Sequence, residues 1–216
     1  MNDRLTPGPP TDYPASYFRR QDETEDGHFY YSPRKVVHID DGAIAALGMV
    51  YADLLPRSGT LLDLMSAWRT HLPAEFADLP DLEVVGLGMN DAELADNPQL
   101  ARWLVHDLNA RPRLPFGDGE FDGAMCAVSV QYMRRPLEIF AEVARVLKPG
   151  APFVVSFSNR CFPTKAVEIW HQTSDEQHVQ LVGSYFNRSG GWGEVRGRSW
   201  QPDGGDPLFV VWADRV

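Results

Sequence analysis

The chain has few cysteines, and it has no long apolar run. Cys126 and Cys161 are the two cysteines among 216 residues, so we expect free thiols rather than a disulfide framework. No apolar stretch reaches the roughly 18 to 20 residues that a helix needs to cross a bilayer, and the N-terminal run MNDRLTPGPPTD lacks the apolar segment of a signal peptide. We therefore expect a cytoplasmic protein with no membrane partner.

Basic residues are also scarce. Lys and Arg together number 20 against 30 Asp and Glu, which gives a formal net charge of -10. Binding to nucleic-acid phosphates draws on clustered basic side chains that this chain does not show, so we expect no nucleic-acid partner. The sequence also lacks a G-x-G-x-x-G motif after its first predicted strand, which argues against dinucleotide-dependent hydride transfer.

The clearest pattern of secondary structure lies between residues 115 and 160. The run FDGAMCAVSV is apolar and has the length of a strand buried on both faces. Leu137, Phe140, Ala144 and Leu147 then recur at steps of three and four, as on one face of a helix. The helix ends at the sequence KPG, and PFVVSF follows as a second buried strand. This order predicts a right-handed βαβ unit with parallel strands.

Two motifs in this stretch give the chain a family resemblance. The run LPFGDGEFDGAMC, followed by PLEIFAEVARVLKPGAPFVVSF, resembles the second half of the class I S-adenosylmethionine-dependent methyltransferases over residues 104–157. The resemblance implies an α/β, three-layer Rossmann-like fold with a seven-stranded sheet and a final antiparallel hairpin. It also implies S-adenosylmethionine as cofactor, with S-adenosylhomocysteine as product, at the carboxyl ends of the first strands.

We expect one methyltransferase-like domain over residues 28–216, preceded by a polar arm over residues 1–27 in which we expect no chemistry. Residues 28–56 predict an N-terminal helical cap, whose helix begins at Asp40 or Asp41. Residues 158–190 predict a helical roof over the site after the fifth strand. The runs GEVRGRSW and PLFVVWADRV, separated by QPDGGD, predict the final hairpin.

The family's cofactor loop is altered in this chain. By register GTLLDLMSAW is the first strand with its exit loop, and Asp63 matches the family's acidic residue. The family's alternating glycine positions hold Met65, Ala67 and Arg69. Without those glycines the backbone approaches a ligand less closely. Ser66 still offers a hydroxyl, and Trp68 either forms a wall of the site or only fills the space that the glycines left.

The ends of the second and third strands carry the other family positions. Gly88 stands where the family has an acid that binds the ribose hydroxyls, so Met89, Asn90, Asp91 or Glu93 would have to substitute. Asn90 suits the start of the helix DAELADN equally well. Asp107 matches the family's acid near the adenine amino group. The predicted cofactor-binding residues are Asp63, Leu64, Met65, Ser66, Met89, Asn90, His106, Asp107, Leu108, Asn109, Val128 and Ser129.

Candidates for the acceptor side come from the cap, the exit of the fourth strand and the segment after the fifth. They are Tyr31, Arg34, His38, Gln131, Asn159, Arg160 and Lys165. If the acceptor must lose a proton, His38, His71 or Tyr31 is a candidate base. His171 and His178 lack the further ligands that a metal site needs, so we expect no metal.

Two functions are compatible with these features. The first is methyl transfer from S-adenosylmethionine to a small-molecule acceptor, in which the protein mainly aligns the reactants and excludes water. The alternative is a non-catalytic ligand-binding protein that retains the methyltransferase fold but has lost the cofactor-loop glycines and the ribose acid.

Overall fold

A computed structural model describes residues 13–216, which form a seven-stranded sheet with helices packed on both faces. The strands are β1 (Gly59–Ser66), β2 (Leu82–Gly88), β3 (Arg102–Val105), β4 (Gly123–Ala127), β5 (Pro152–Phe157), β6 (Arg196–Trp200) and β7 (Leu208–Asp214). Their order across the sheet is β3-β2-β1-β4-β5-β7-β6, with β7 antiparallel to both of its neighbours and the other strands parallel. The predicted fold, including the final hairpin, is confirmed.

Side-chain caps fix where several helices begin. The helices are α1 (Asp26–Phe29), α2 (Asp41–Leu54), α3 (Asp91–Ala95), α4 (Pro136–Val146), α5 (Glu168–His171) and α6 (Asp175–Ser189). Single 3-10 turns lie at Ala15–Phe18, Ala74–Phe76 and Val130–Tyr132. Asp40 starts α2, because its Oδ1 accepts a hydrogen bond of 2.8 Å from the Ala43 amide. Within residues 13–216, none of the helices has both the length and the apolar character that crossing a membrane requires.

The βαβ unit forms from β4, α4 and β5 as the sequence predicts. Ile139, Phe140 and Val143 on α4 are buried in the core, and β4 pairs with β5 in parallel. The chain leaves α4 through Gly150, whose φ of +81° suits glycine. The unit therefore sets the exits of β4 and β5 side by side at one edge of the sheet.

Helix α6 covers one face of the sheet and does not form a roof. Its apolar side chains, among them Tyr185 and Phe186, are buried. The Phe186 ring lies 4.8 Å from that of Phe140 on α4 and 5.6 Å from that of Phe153 on β5. The aromatic side chains of α6 are buried against the core, which corrects the predicted roof at residues 158–190.

A buried ion-pair cluster attaches the N-terminal segment to the domain. Asp26 accepts from Arg20 at 2.7 Å, lies 3.3 Å from the Lys165 ammonium, and accepts from the Asn109 amide at 2.8 Å. The Lys165 ammonium also donates to the Thr24 carbonyl oxygen at 2.8 Å. Residues 1–12 of the predicted arm lie outside the described residues, but the part that contains Asp26 is an integral part of the domain.

Candidate functional site

A cavity opens at the carboxyl ends of β1 and β2, beside the residues that follow β3 and β4. It encloses about 1090 Å³ of space, its open mouth included. Every predicted cofactor-binding residue except Leu64 lines it: Asp63, Met65, Ser66, Met89, Asn90, His106, Asp107, Leu108, Asn109, Val128 and Ser129. Arg34 and His38 line it from the N-terminal segment. The strand ends therefore bring the predicted positions together.

Three predicted site residues are buried away from this cavity. Leu64 points into the core because side chains alternate along β1. Gln131 is fully buried, and its amide donates to the Val128 carbonyl oxygen at 2.8 Å. Lys165 is fully buried in the ion-pair cluster with Asp26. These three predictions are corrected: the side chains serve the core and the attachment of the N-terminal segment.

Three further substrate candidates lie on the surface. Tyr31 is 83% exposed, and Asn159 is exposed as well. The Arg160 guanidinium is exposed, 3.6 Å from the Asp206 carboxylate. In the described part of the chain none of the three lines the cavity, because the segment after β5 turns outward until it reaches Phe162.

Asp63 is a buried carboxyl at the floor of the cavity. Its side chain is 2% exposed, and its Oδ2 accepts a hydrogen bond of 2.5 Å from the Ser66 hydroxyl. Burial raises the pKa of Asp63 to about 7, although hydrogen bonds from Ser66 and Thr70 act in the opposite direction. Asp63 therefore holds a proton over much of the pH range below neutrality.

This carboxyl should make stability depend on pH. The unfolded Asp63 titrates near 3.8 and the folded one near 7, so between these values the folded state binds more protons. The contribution of Asp63 to stability is fully present below pH 4 and is lost as the pH rises through 7. We expect Asp63→Asn to gain about 2 kcal/mol relative to the native chain between pH 5 and pH 7.

Urea denaturation at a series of pH values measures this difference. Asp78→Asn is the matched control, because Asp78 is exposed and lies in the segment between β1 and β2. Its free energy of unfolding should equal that of the native chain at every pH. Parallel pH curves for Asp63→Asn and the native chain would refute the raised pKa of Asp63.

The end of β1 and the exit of β4 each have a glycine-like backbone at a residue other than glycine. Met65 has a φ of +58° and lies at an irregularity in the pairing of β1 with β2. Val128, at the exit of β4, has a φ of +43°. A β-branched residue in this region is uncommon, and such conformations concentrate at functional sites. Both strained residues line the cavity.

The missing ribose acid has a steric cause. A Cβ atom on Gly88 would lie 2.1 Å from the Ser66 carbonyl oxygen and 3.1 Å from Cδ2 of Leu94. Ser66 pairs with Gly88 across β1 and β2, so the β1 exit loop occupies the space that a side chain at 88 would need. This position cannot carry a carboxylate in the present fold.

Glu93 is the carboxylate that the cavity offers in its place. Asn90 is already engaged: its oxygen caps α3 by accepting from the Glu93 amide at 3.1 Å, and its amide donates to the carbonyl oxygens of Tyr30 and Tyr31. Glu93 lines the cavity at 8% exposure and accepts from the Arg34 amide. Of the four substitutes proposed from sequence, Met89, Asn90 and Glu93 face the cavity.

Asp107 has one carboxylate oxygen committed to the backbone. Oδ1 accepts from the amides of Asn109 and Ala110 at 2.9 and 3.1 Å. The neighbouring His106 Nε2 lies 2.7 Å from the Arg111 carbonyl oxygen, which holds the ring in place. Asp107 is half-buried and lines the cavity, so its second oxygen is placed to accept a ligand donor.

The N-terminal segment covers the cavity. The Trp68 indole donates to the Val36 carbonyl oxygen at 3.0 Å, and the Arg34 guanidinium lies 4.0 Å from the centroid of Phe29 and 5.7 Å from that of Phe162. Trp68 lines the cavity, so it forms a wall of the site. Of residues 158–190, Phe162 alone lines this cavity.

Two histidines face the cavity as neutral imidazoles at pH 7. Burial lowers the pKa of His38, and burial together with the neighbouring His38 and Arg69 lowers the pKa of His71 to about 4. The edge of the His38 ring packs on Phe162 with centroids 4.9 Å apart. Either neutral ring can accept a proton, and these are two of the three bases that the sequence offers. Tyr31, the third, lies outside the cavity.

Sequence reasoning missed several lining residues, chiefly Asp26, Tyr132 and Phe162. Asp26 belongs to the acidic run QDETEDG, in which no pattern marks one acid as buried. Phe162 follows the exit of β5, and its amide donates to the Tyr132 hydroxyl at 2.8 Å. The position of Phe162 just past a predicted strand end was the signal available for it.

Comparison with known proteins finds that part of the chain is similar to a known family. A family profile described as a methyltransferase domain matches residues 71–155. The match covers less than half of the chain, and over that part the chain is similar to methyltransferase domains. The matched residues 71–155 include the exits of β2, β3 and β4, three of the elements that build the cavity.

The curated relatives of this chain are distant or short matches. It is 41% identical over 77 residues to the biotin biosynthesis bifunctional protein BioHC of Teredinibacter turnerae, a match that covers 36% of this chain and 13% of the relative. It is 25% identical to the malonyl-[acyl-carrier protein] O-methyltransferase of a Marinomonas species over 67% of this chain and 45% of the relative. The matches thus span less than half the length of either relative.

Solved structures confirm the fold. The phosphoethanolamine N-methyltransferase 2 of Haemonchus contortus, in complex with S-adenosyl-L-methionine, aligns with a TM-score of 0.56 and 13% identity. The alignment covers 82% of this chain and 53% of the solved chain.

Proposed function

We propose that this chain binds S-adenosylmethionine in the cavity and transfers its methyl group to a small-molecule acceptor. The observation that carries the proposal is the convergence of three carboxyl groups from neighbouring strands on one cavity: Asp63 in the second half of β1, Glu93 after β2 and Asp107 after β3. In open α/β sheets this edge is where ligands bind.

The residues present fit an adenosyl group. Asp107 offers a carboxylate oxygen for an adenine amino group, and Leu108 and Met89 supply apolar contacts beside it. Glu93 takes the ribose role that Gly88 cannot carry. A buried carboxylate that faces the cavity can accept charge-assisted hydrogen bonds from both hydroxyls of a ribose.

The remaining residues position the acceptor. The sulfonium of the bound cofactor supplies the activated methyl group, so the chain has to align the acceptor and exclude water. The segment with Arg34 and His38 covers the cavity, and Phe162 packs against it from the β5 side. For an acceptor that must lose a proton, neutral His38 or His71 takes it.

The charge of the chain favours a small-molecule acceptor over a nucleic acid. The net charge of -10 opposes binding to a polyanion. The N-terminal segment contributes Asp26, Tyr30, Arg34, Val36 and His38 to the cavity lining.

The rival function is ligand binding without catalysis. It is favoured by Met65 at a glycine position and by Gly88, which the β1 exit loop keeps free of any side chain. Calorimetry with S-adenosylmethionine and S-adenosylhomocysteine separates the two functions. Dissociation constants in the micromolar range support the methyltransferase, and the absence of binding at millimolar ligand supports the rival.

Asp107→Asn should weaken S-adenosylhomocysteine binding about tenfold, because a hydrogen bond to a charged group is worth about 1.5 kcal/mol or more. The variant keeps an oxygen that can accept from the Asn109 and Ala110 amides, so the loop should hold its shape. Calorimetry measures the change, with Asp78→Asn as the surface control. Equal affinities for both variants and the native chain would place the ligand elsewhere.

A further inference from the structure

The Arg34 guanidinium faces the cavity without a carboxylate partner. Among residues 13–216, no acid lies within ion-pair distance of it. Its Nη1 donates to the Phe29 carbonyl oxygen, while Nε and Nη2 form no hydrogen bond with a described residue and are not closed off from solvent. Part of the donor fork is therefore available to a ligand.

The guanidinium is held in a defined orientation. Its carbon lies 4.0 Å from the centroid of Phe29 and 5.7 Å from that of Phe162, and the Arg34 amide donates to Glu93. The Arg34 side chain stacks on two rings and is hydrogen-bonded through its backbone amide and through Nη1. It is therefore already ordered and loses less conformational entropy when a ligand binds. A planar, pre-oriented fork suits the two oxygens of a carboxylate or phosphate.

The acids in the same cavity do not neutralise this cation. Asp26 is compensated by Arg20 and Lys165, neither of which lines the cavity. Glu93 is bound to the Arg34 backbone rather than to its guanidinium.

We infer that Arg34 binds an oxyanion, a carboxylate or phosphate group, of the methyl acceptor; this rests on the proposed function. The position of Arg34 favours the acceptor over the cofactor as the source of the anion. Its guanidinium packs on Phe162 after β5, whose amide bonds Tyr132 after β4. The β1 exit loop has a cation of its own in Arg69, stacked 3.9 Å over Trp68.

Calorimetry on the native chain loaded with S-adenosylhomocysteine tests the inference, with malonate and inorganic phosphate as probes. We expect at least one probe to bind with a dissociation constant below about 10 mM. Arg34→Met should weaken that binding at least tenfold. Arg34→Lys should bind the probe more tightly than Arg34→Met but less tightly than the native chain, because an ammonium supplies the charge without the two parallel donors of a guanidinium. The matched control is Lys35→Met, which removes the adjacent cation; Lys35 pairs with Asp96 outside the cavity lining.

Two cofactor-site ligands separate this inference from the proposed function. S-adenosylhomocysteine carries a carboxylate and methylthioadenosine does not. In Arg34→Met we expect both affinities to stay within about threefold of the native values. A tenfold loss for S-adenosylhomocysteine alone would assign Arg34 to the cofactor carboxylate and overturn the inference, as would a native chain that binds neither probe. A native chain that binds neither adenosyl ligand would instead overturn the proposed function.

Discussion

Asp26→Ala should lower the free energy of unfolding by about 3 to 5 kcal/mol, the cost of leaving buried charges without their partner. Arg20 and Lys165 both lie against Asp26, at 2.7 and 3.3 Å, and the Lys165 side chain is fully buried. Removal of the carboxylate leaves the buried Arg20 guanidinium without a carboxylate partner among the described residues, while Lys165 keeps the Asp22 carboxylate at 3.1 Å. Urea denaturation followed by tryptophan fluorescence measures the loss.

The matched control for this change is Glu138→Ala. Glu138 also pairs with an arginine, Arg135, at 2.6 Å, but on the surface, where both side chains are about half exposed. Surface pairs contribute about 0 to 1 kcal/mol, so this variant should stay close to the native chain. Equal effects for the two variants would contradict the role assigned to burial.

Asp26 also connects stability to the site. Its second oxygen accepts from the Asn109 amide, whose own oxygen accepts from the Arg134 amide at 2.8 Å. Asn109 lines the cavity two residues after Asp107. We expect Asp26→Asn, which keeps the shape but not the charge, to lose less stability than Asp26→Ala, because an amide still accepts a hydrogen bond from a cation.

The sequence predicts the fold and the strand ends well because these depend on local pattern. Alternating and continuous apolar runs mark β4 and β5, and parallel strands bring their carboxyl ends to one edge. Asp63 in the first strand and Asp107 just after the third lie in register with the family motifs, so their common location follows from topology. The N-cap role of Asn90 follows in the same way from its residue type and from the apolar pattern after it.

The remaining features depend on contacts between distant segments, which no local pattern carries. Lys165 looks like a surface cation at the start of a helix, and its burial follows only from the placement of Asp22, Thr24 and Asp26. The N-terminal segment covers the cavity because Asn90, Glu93 and Trp68 bind its backbone. Each of these bonds joins residues at least thirty positions apart.

The second large effect is expected at Gly88. Gly88→Ala should cost about 3 kcal/mol of stability, at the upper end of the usual range for an overpacked interior, because the atom that the new Cβ meets is backbone. The Ser66 carbonyl oxygen would be 2.1 Å away, and it cannot move without disturbing the pairing of β1 with β2. Gly117→Ala is the matched control, since its Cβ would meet nothing closer than 3.7 Å.

Gly88→Asp puts back the acid that the family carries at this position, and it should fail to strengthen cofactor binding. Its Cβ meets the same oxygen as that of Gly88→Ala, so the β1 exit loop with Met65 and Ser66 must shift away from the cavity before the carboxylate can face it. Thermal denaturation should show both variants unfolding well below the native chain. Calorimetry should show weaker S-adenosylhomocysteine binding for Gly88→Asp. Tighter S-adenosylhomocysteine binding by Gly88→Asp would mean that the β1 exit loop moves at little cost. It would also mean that Glu93 does not bind the ribose, because the new carboxylate would then make a contact that Glu93 does not make.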